Sequence, residues 1–274
     1  MFGEDNDNEN ENENESSSSR PLACGVLSFH NGTEESMFIY ITNHCARGDI
    51  KNILNSIDKF CYSRHWMMHI GERKREFLIN AIKSAQQAAR VNSSSSSECF
   101  SCLEIGSYCG YSALVMANEL SDTGHLFCIE RDPKCCRWTK QLLDYALLSN
   151  KVTIFENDVS DESLSHLIKK MEEDYHCSTL NLVFIDHDKA FYLSDLQQIV
   201  SKRLLHSGSV VVADNVLSFG RPLTEYLQYV QDPHGLFSSS ATHQDHVEYS
   251  SIEDSVSELS PDDLIDAVEV SIFR

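Results

Sequence analysis

From residue 99 onward the chain alternates two hydrophobic periods, and that alternation limits it to one class of fold. Apolar, largely β-branched or aromatic runs at Phe100–Ile105, Leu126–Glu130, Val152–Glu156, Leu180–Asp186 and Val210–Ala213 predict strands. Between them, Tyr111–Leu120, Pro133–Leu147, Ser163–Asp174, Tyr192–Leu204 and Pro222–Val230 repeat apolar side chains three and four apart, the period of a helix. Strands alternating with helices predict a parallel sheet covered on both faces, because each crossover helix must bury its apolar stripe. The chain's end differs. Thr242–Ser250, an acidic loop and Ala267–Phe273 leave no room for a helix of ordinary length beyond Pro261–Asp266, so they predict an antiparallel pair closing one edge. The expected fold is α/β: a single doubly wound domain.

Ahead of this unit, residues 50–62 and 72–89 predict two amphipathic helices. The loop between them, Trp66-Met67-Met68-His69-Ile70-Gly71, is too apolar to be only a linker, and a Ser-rich loop at 93–97 follows the second helix. The opening residues are of another kind: seven acids lie within Glu4–Glu15, in an Asn/Glu/Ser tract that cannot bury apolar surface. We therefore divide the chain into an acidic, largely disordered tail and linker, 1–49, and a folded domain, 50–274.

The net charge of −20, from 22 basic and 42 acidic residues, argues against nucleic acid as a partner, since phosphates would be repelled. A second acidic bias, Asp232–Glu269, holds no Lys or Arg and is expected to be a solvated face with a flexible loop. No run has the roughly 18 apolar residues of a membrane span, and residues 21–29 lack a basic leader, so we expect a cytoplasmic protein; a monomer is a separate expectation. Ten cysteines include no paired zinc-ribbon spacing, so they are expected to be mostly buried free thiols.

Two strands end in oxygen donors: Phe184-Ile185-Asp186-His187-Asp188-Lys189 and Val211-Val212-Ala213-Asp214-Asn215. Ligands of open α/β sheets bind at the C-terminal strand tips. Asp186, Asp214 and Asn215, with the Lys189 ammonium beside them, suit an octahedral Mg²⁺ that keeps positions open for substrate oxygens. Each motif alone also has a plain reading, Asp186-His187 as a helix cap and Asp214-Asn215 as a turn pair. Leu103-Glu104-Ile105-Gly106-Ser107-Tyr108-Cys109-Gly110-Tyr111-Ser112 runs from strand through a glycine turn into helix. Its G-x-x-x-G lacks the dinucleotide pattern, so a nucleoside without pyrophosphate fits better. Glu130, ending the next strand, is placed for a ribose diol, while Asp132-Pro133 predicts a helix start.

These segments, with Ala213-Asp214-Asn215-Val216, Val247-Glu248-Tyr249 and Trp66-x-Met68-x-x-Gly71, resemble the cation-dependent catechol O-methyltransferases over about residues 50–273. The resemblance implies a Rossmann-like, seven-stranded methyltransferase sheet with an antiparallel last strand, S-adenosylmethionine and Mg²⁺ as cofactors, and a small-molecule catechol as substrate. It implies Asp186, Asp214 and Asn215 as metal ligands, Lys189 as general base and Glu248 on the second catechol hydroxyl. Met68, Ile70, Glu104, Gly106, Tyr108, Ser112, Glu130, Ser160, Asp186 and His187 would line the cofactor. Trp66, Lys189, Asn215, Phe219 and Glu248 would meet the substrate. A phenol of pKa about 10 is mostly protonated at neutral pH, so a cation holding both vicinal oxygens would favour the phenolate, and would disfavour the ammonium form of Lys189. The chain departs from the family at Asp188, where a Trp is usual, at Phe219 in place of a Pro, and at His69 in place of an Asn. Asp188 resembles instead the caffeoyl-CoA O-methyltransferases, an alternative with a larger phenolic substrate; a non-catalytic S-adenosylmethionine-binding protein is a third reading.

Overall fold

The computed structural model describes residues 31–92, 99–217, 222–246 and 265–274. Phe219, Glu248 and the acidic tract at Glu4–Glu15 lie outside the described residues. Three helices lead in: α1 (Thr33–His44), α2 (Ile50–Ser63) and α3 (Gly71–Asn92). The alternating unit follows as β1 (Ser101–Ile105), α4 (Tyr111–Glu119), β2 (His125–Glu130), α5 (Pro133–Tyr145), β3 (Val152–Glu156), α6 (Asp161–Tyr175), β4 (Leu180–Ile185), α7 (Tyr192–Ser201) and β5 (Leu205–Ala213). It closes with α8 (Thr224–Gln231), β6 (Phe237–His246) and β7 (Ile265–Phe273).

The sheet has seven strands in the order β3-β2-β1-β4-β5-β7-β6. Pairings from β3 through to β5 are parallel, while β7 runs antiparallel to both β5 and β6. The reversed strand is therefore interior, and β6 forms the edge. Successive strand residues alternate between two cores: Cys102, Cys128, Phe184 and Val212 pack under α1–α5, and Leu103, Phe127, Val183 and Val211 pack under α6–α8. Burial on both faces is why these strands read as continuous apolar runs rather than alternating ones.

Helix starts follow local chemistry. Asp132 accepts from Lys134 N (2.7 Å) and Cys135 N (3.2 Å), with Pro133 in the first turn of α5, as its sequence predicts. Asp49 caps α2, and Ser160 and Ser163 cap α6 reciprocally. Helix α1 lies within the stretch expected to be tail and linker. It buries Glu34, Met37, Tyr40 and Ile41 against the core. Its unbroken apolar run Met37–Ile41 hides the helical period, and Gly32 at its start offers no capping side chain. The acidic stretch from Asp232 also departs from a solvated face, since Asp266 and Glu269 are fully buried on β7. Among the described residues nine cysteines are free and seven of them buried, and no helix is long and apolar enough to cross a membrane.

Candidate active site at the strand tips

Strand order reverses between β1 and β4, which opens a crevice at their C-terminal ends. Backbone bonds continue the ladder one residue past the strands: Gly106 N to Ile129 O (2.9 Å), Asp186 N to Ile105 O (2.9 Å) and Asp214 N to Ile185 O (3.0 Å). The residues after β1, β4 and β5 are thereby held level, and the donors of three separate motifs arrive at one rim. Gly106, at φ +86°, is required here: a Cβ would stand 2.3 Å from the Asp186 carbonyl oxygen and 2.8 Å from His187 Cβ.

On the cofactor side, Glu130 folds back onto the glycine turn. Its Oε2 accepts from Ser107 N and Tyr108 N, both at 3.0 Å, and Oε1 accepts from Asp132 N at 2.8 Å. A carboxylate has about four acceptor positions, so Glu130 as it stands has room for one further donor rather than for both hydrogens of a diol. Glu104 is fully buried, with Oε2 accepting from Cys128 Sγ at 3.2 Å and Oε1 without a hydrogen-bond partner among the described residues. Burial pushes its carboxyl up to about 8, with Ser112 and Cys128 pulling against it and Asp186 and Glu130 adding to it. Ser112 is buried beside it, and Ile70 is buried and Met68 half-buried in the loop between α2 and α3. Tyr108, at φ +44°, donates its hydroxyl to Glu34 of α1 at 3.3 Å and lies 5.4 Å from the ring of His69. Burial lowers His69 to about 3, so its ring is neutral at ordinary pH.

On the other side, Lys189 sits in a short 3₁₀ turn capped by Asp188, whose Oδ1 accepts from Ala190 N at 3.1 Å. Lys189 Nζ donates to Asn215 Oδ1 (2.7 Å) and Tyr192 OH (3.0 Å) and lies 3.5 Å from Asp186 Oδ1. Tyr192 OH in turn donates a hydrogen bond to the Asp214 backbone carbonyl at 3.1 Å. Asn215 holds φ +53°, a left-handed conformation that Asn tolerates better than most residues. His187 Nε2 pairs with Asp195 at 2.8 Å and its ring stacks on Tyr192, with Nδ1 buried and unpartnered among the described residues. Trp66 is half-buried and packs on the core under α1–α5. Ser160 caps α6, its side chain accepting from Ser163 N.

Sequence reasoning missed Lys74, Asp266 and Tyr192. Lys74 is 1% exposed and reaches Asp214 Oδ1 at 2.7 Å and Asp266 Oδ2 at 2.9 Å. Burial alone would lower its pKa, but Asp214 and Asp266 outweigh it and the net shift is upward. Burial pushes Asp214 up to about 7, Lys74 opposing and Asp186 and Asp266 reinforcing. A signal existed: position 74 lies on the stripe of Leu78, Ala81 and Ile82, so a helix read strictly by period turns Lys74 inward.

The O-methyltransferase family profile matches residues 49–234. The chain is 32% identical to the catechol O-methyltransferase of Mus musculus over 225 residues, 81% of this chain and 77% of that one. It is 31% identical to catechol O-methyltransferase B of Danio rerio, over 78% of this chain and 73% of the relative. In fold it matches an O-methyltransferase of Bacillus cereus solved in complex with SAH, with a TM-score of 0.55 at 18% identity, covering 91% of this chain and 94% of that one. The chain belongs to the S-adenosylmethionine-dependent O-methyltransferase family.

Proposed function

We propose that this enzyme transfers the methyl group of S-adenosylmethionine to one hydroxyl of a catechol, in a reaction that depends on Mg²⁺. One observation carries the reading: Asp186, Asp214 and Asn215 offer hard oxygen donors at two adjacent strand tips, and the Lys189 ammonium is lodged among them, within 2.7 Å of Asn215 and 3.5 Å of Asp186. A cluster of oxygens that already binds one cation fits a hard divalent cation. The three would hold Mg²⁺, which when bound supplies Lewis acidity toward both oxygens of a vicinal diol. The identity to catechol O-methyltransferases supports the same substrate class.

The chain's own residues then divide the work. In its neutral amine form, which a dication bound beside it would favour over the ammonium, Lys189 Nζ, positioned by Asn215 and Tyr192, would receive the hydroxyl proton as the oxygen attacks the methyl group. Glu104, Gly106, Tyr108 and Ser112 surround the amino-acid end of the cofactor, Ile70 lines the same site, and Glu130 accepts from a ribose hydroxyl at its remaining acceptor position. His187 and Met68 flank the same pocket, and Ser160 closes its outer edge. Trp66 supplies an apolar wall for the ring, while Phe219 and Glu248, outside the described residues, keep the substrate roles that the family resemblance implies. Residues 50–274 form the catalytic unit, to which α1 adds Glu34 beneath Tyr108.

The test is transfer of labelled methyl to catechol and to phenol, each with Mg²⁺ and then with EDTA. Turnover of catechol alone, abolished by chelation, is expected. Catechol turnover that survives chelation, or equal turnover of phenol, would overturn the reading.

A further inference from the structure

Helix α3 packs against β4 and β5 and also against β6 and β7. Because β7 is antiparallel, its first residues arrive at the rim where the parallel strands end: Ala213 pairs with Glu269, and beyond the pairing Val216 N donates to Ala267 O at 2.9 Å. Asp266 thus comes to lie behind Asp214 and Asn215, with Lys74 delivered from α3 to the same point. Asp266 Oδ2 accepts from Lys74 Nζ at 2.9 Å and from Asn215 Nδ2 at 2.5 Å, while Lys74 Nζ also holds Asp214 Oδ1 at 2.7 Å. Lys74, Asp214 and Asp266 are all about 1% exposed.

We propose that Lys74 and Asp266 are positioning residues for the divalent-cation site, resting on the metal reading above. An Asn side chain can ligate a cation only through its carbonyl oxygen. Asp266, by accepting from Asn215 Nδ2, sets the flip of that amide so that Oδ1 faces the rim, where Lys189 Nζ lies 2.7 Å away. Lys74 forms an ion pair with Asp214 Oδ1, an atom that accepts no hydrogen bond among the described residues, and so leaves Oδ2 as the proposed donor atom of that carboxylate. It also compensates the buried charge of Asp266, whose other partners, Asn215 Nδ2 and Ala267 N, are neutral. One buried ion pair orients two of the three proposed ligands, from two elements that carry no ligand themselves.

The full chain, with saturating S-adenosylhomocysteine, is titrated with Mn²⁺ and the free ion is read by electron paramagnetic resonance. The wild type is expected to bind one ion, and Asp186→Asn, which alters a proposed ligand, to lose it. Lys74→Met and Asp266→Asn are each expected to weaken Mn²⁺ binding by roughly ten- to a hundredfold. S-adenosylhomocysteine affinity, measured separately without metal, should stay within about twofold, a separation that a loss of general stability would not produce. Wild-type affinity for Mn²⁺ in both folded variants would overturn the positioning role while leaving the metal site standing. Equal binding by wild type and Asp186→Asn would overturn the metal reading and the proposal with it. Should Lys74→Met fail to fold, Asp266→Asn, which preserves side-chain volume, decides the outcome.

Discussion

Glu104 carries a carboxyl group that burial raises to about 8, above its ordinary value of 4.5. The folded chain therefore keeps a proton that the unfolded chain has released, and stability falls as pH rises from about 4.5 to about 8. Glu104→Gln keeps the shape and removes the titration. It is expected to raise the Tm of the cofactor-free protein by a few degrees at pH 8 and to leave it unchanged at pH 4; an equal shift at both pH values would show that ionisation is not the cause. Lys189 makes a separate case. Lys189→Met is expected to lower kcat by about 10²- to 10⁴-fold, with S-adenosylhomocysteine affinity retained in a calorimetric titration, and a variant of undiminished rate would remove Lys189 from the role of base. The donor residues were legible in sequence because each ends an apolar run, and the tip of such a run is a fixed place in the fold. Lys74 was not, since a lysine in Glu72-Arg73-Lys74-Arg75-Glu76 looks like one charge among five until its partners are known.

At the level of elements, the approach of the β1 and β4 tips depends on Gly106. A Cβ there meets the Asp186 backbone at 2.3 Å, and neither strand end can yield without breaking the bond from Asp186 N to Ile105 O. Gly106→Ala is expected to cost about 3 kcal/mol in a urea unfolding experiment; a cost below about 1 kcal/mol would mean that the tips move apart easily. Helix α1 is bound to the domain by Met37, Tyr40 and Ile41. Ile41→Ala, at a position with no exposure, should destabilise by about 2–5 kcal/mol, whereas a change within about 0.5 kcal/mol would show that α1 folds apart from the core. Boundaries of α2, α5 and α6 came close to their sequence expectation because their caps and periods are local signals. Strand β6 was harder, since Phe237-Ser238-Ser239-Ser240-Ala241 has little apolar alternation and is ordered by its pairing with β7.

Across the whole molecule, a net charge of −20 opposes compaction, and screening should relieve it. Tm is expected to rise between low salt and about 0.3 M NaCl. The carboxylates of the rim already have Lys74 and Lys189 as internal cations, so EDTA is expected to abolish methyl transfer while far-UV circular dichroism stays unchanged; unfolding on chelation would assign the cation a structural role. What the sequence by itself determined is the parallel α/β sheet, its reversed last strand and the oxygen donors at the strand tips. The sheet and the donors follow from short-range periodicity, which places apolar runs in the core and whatever ends them at the rim, and the reversed strand from a connection with no room for a crossover helix. Only the tertiary structure decided that Lys74 meets Asp266 across 192 positions, that Glu130 holds the glycine turn, and that α1 joins the core. A buried charge is settled by the partner that compensates it, and that partner is selected by chain topology rather than by neighbours in sequence.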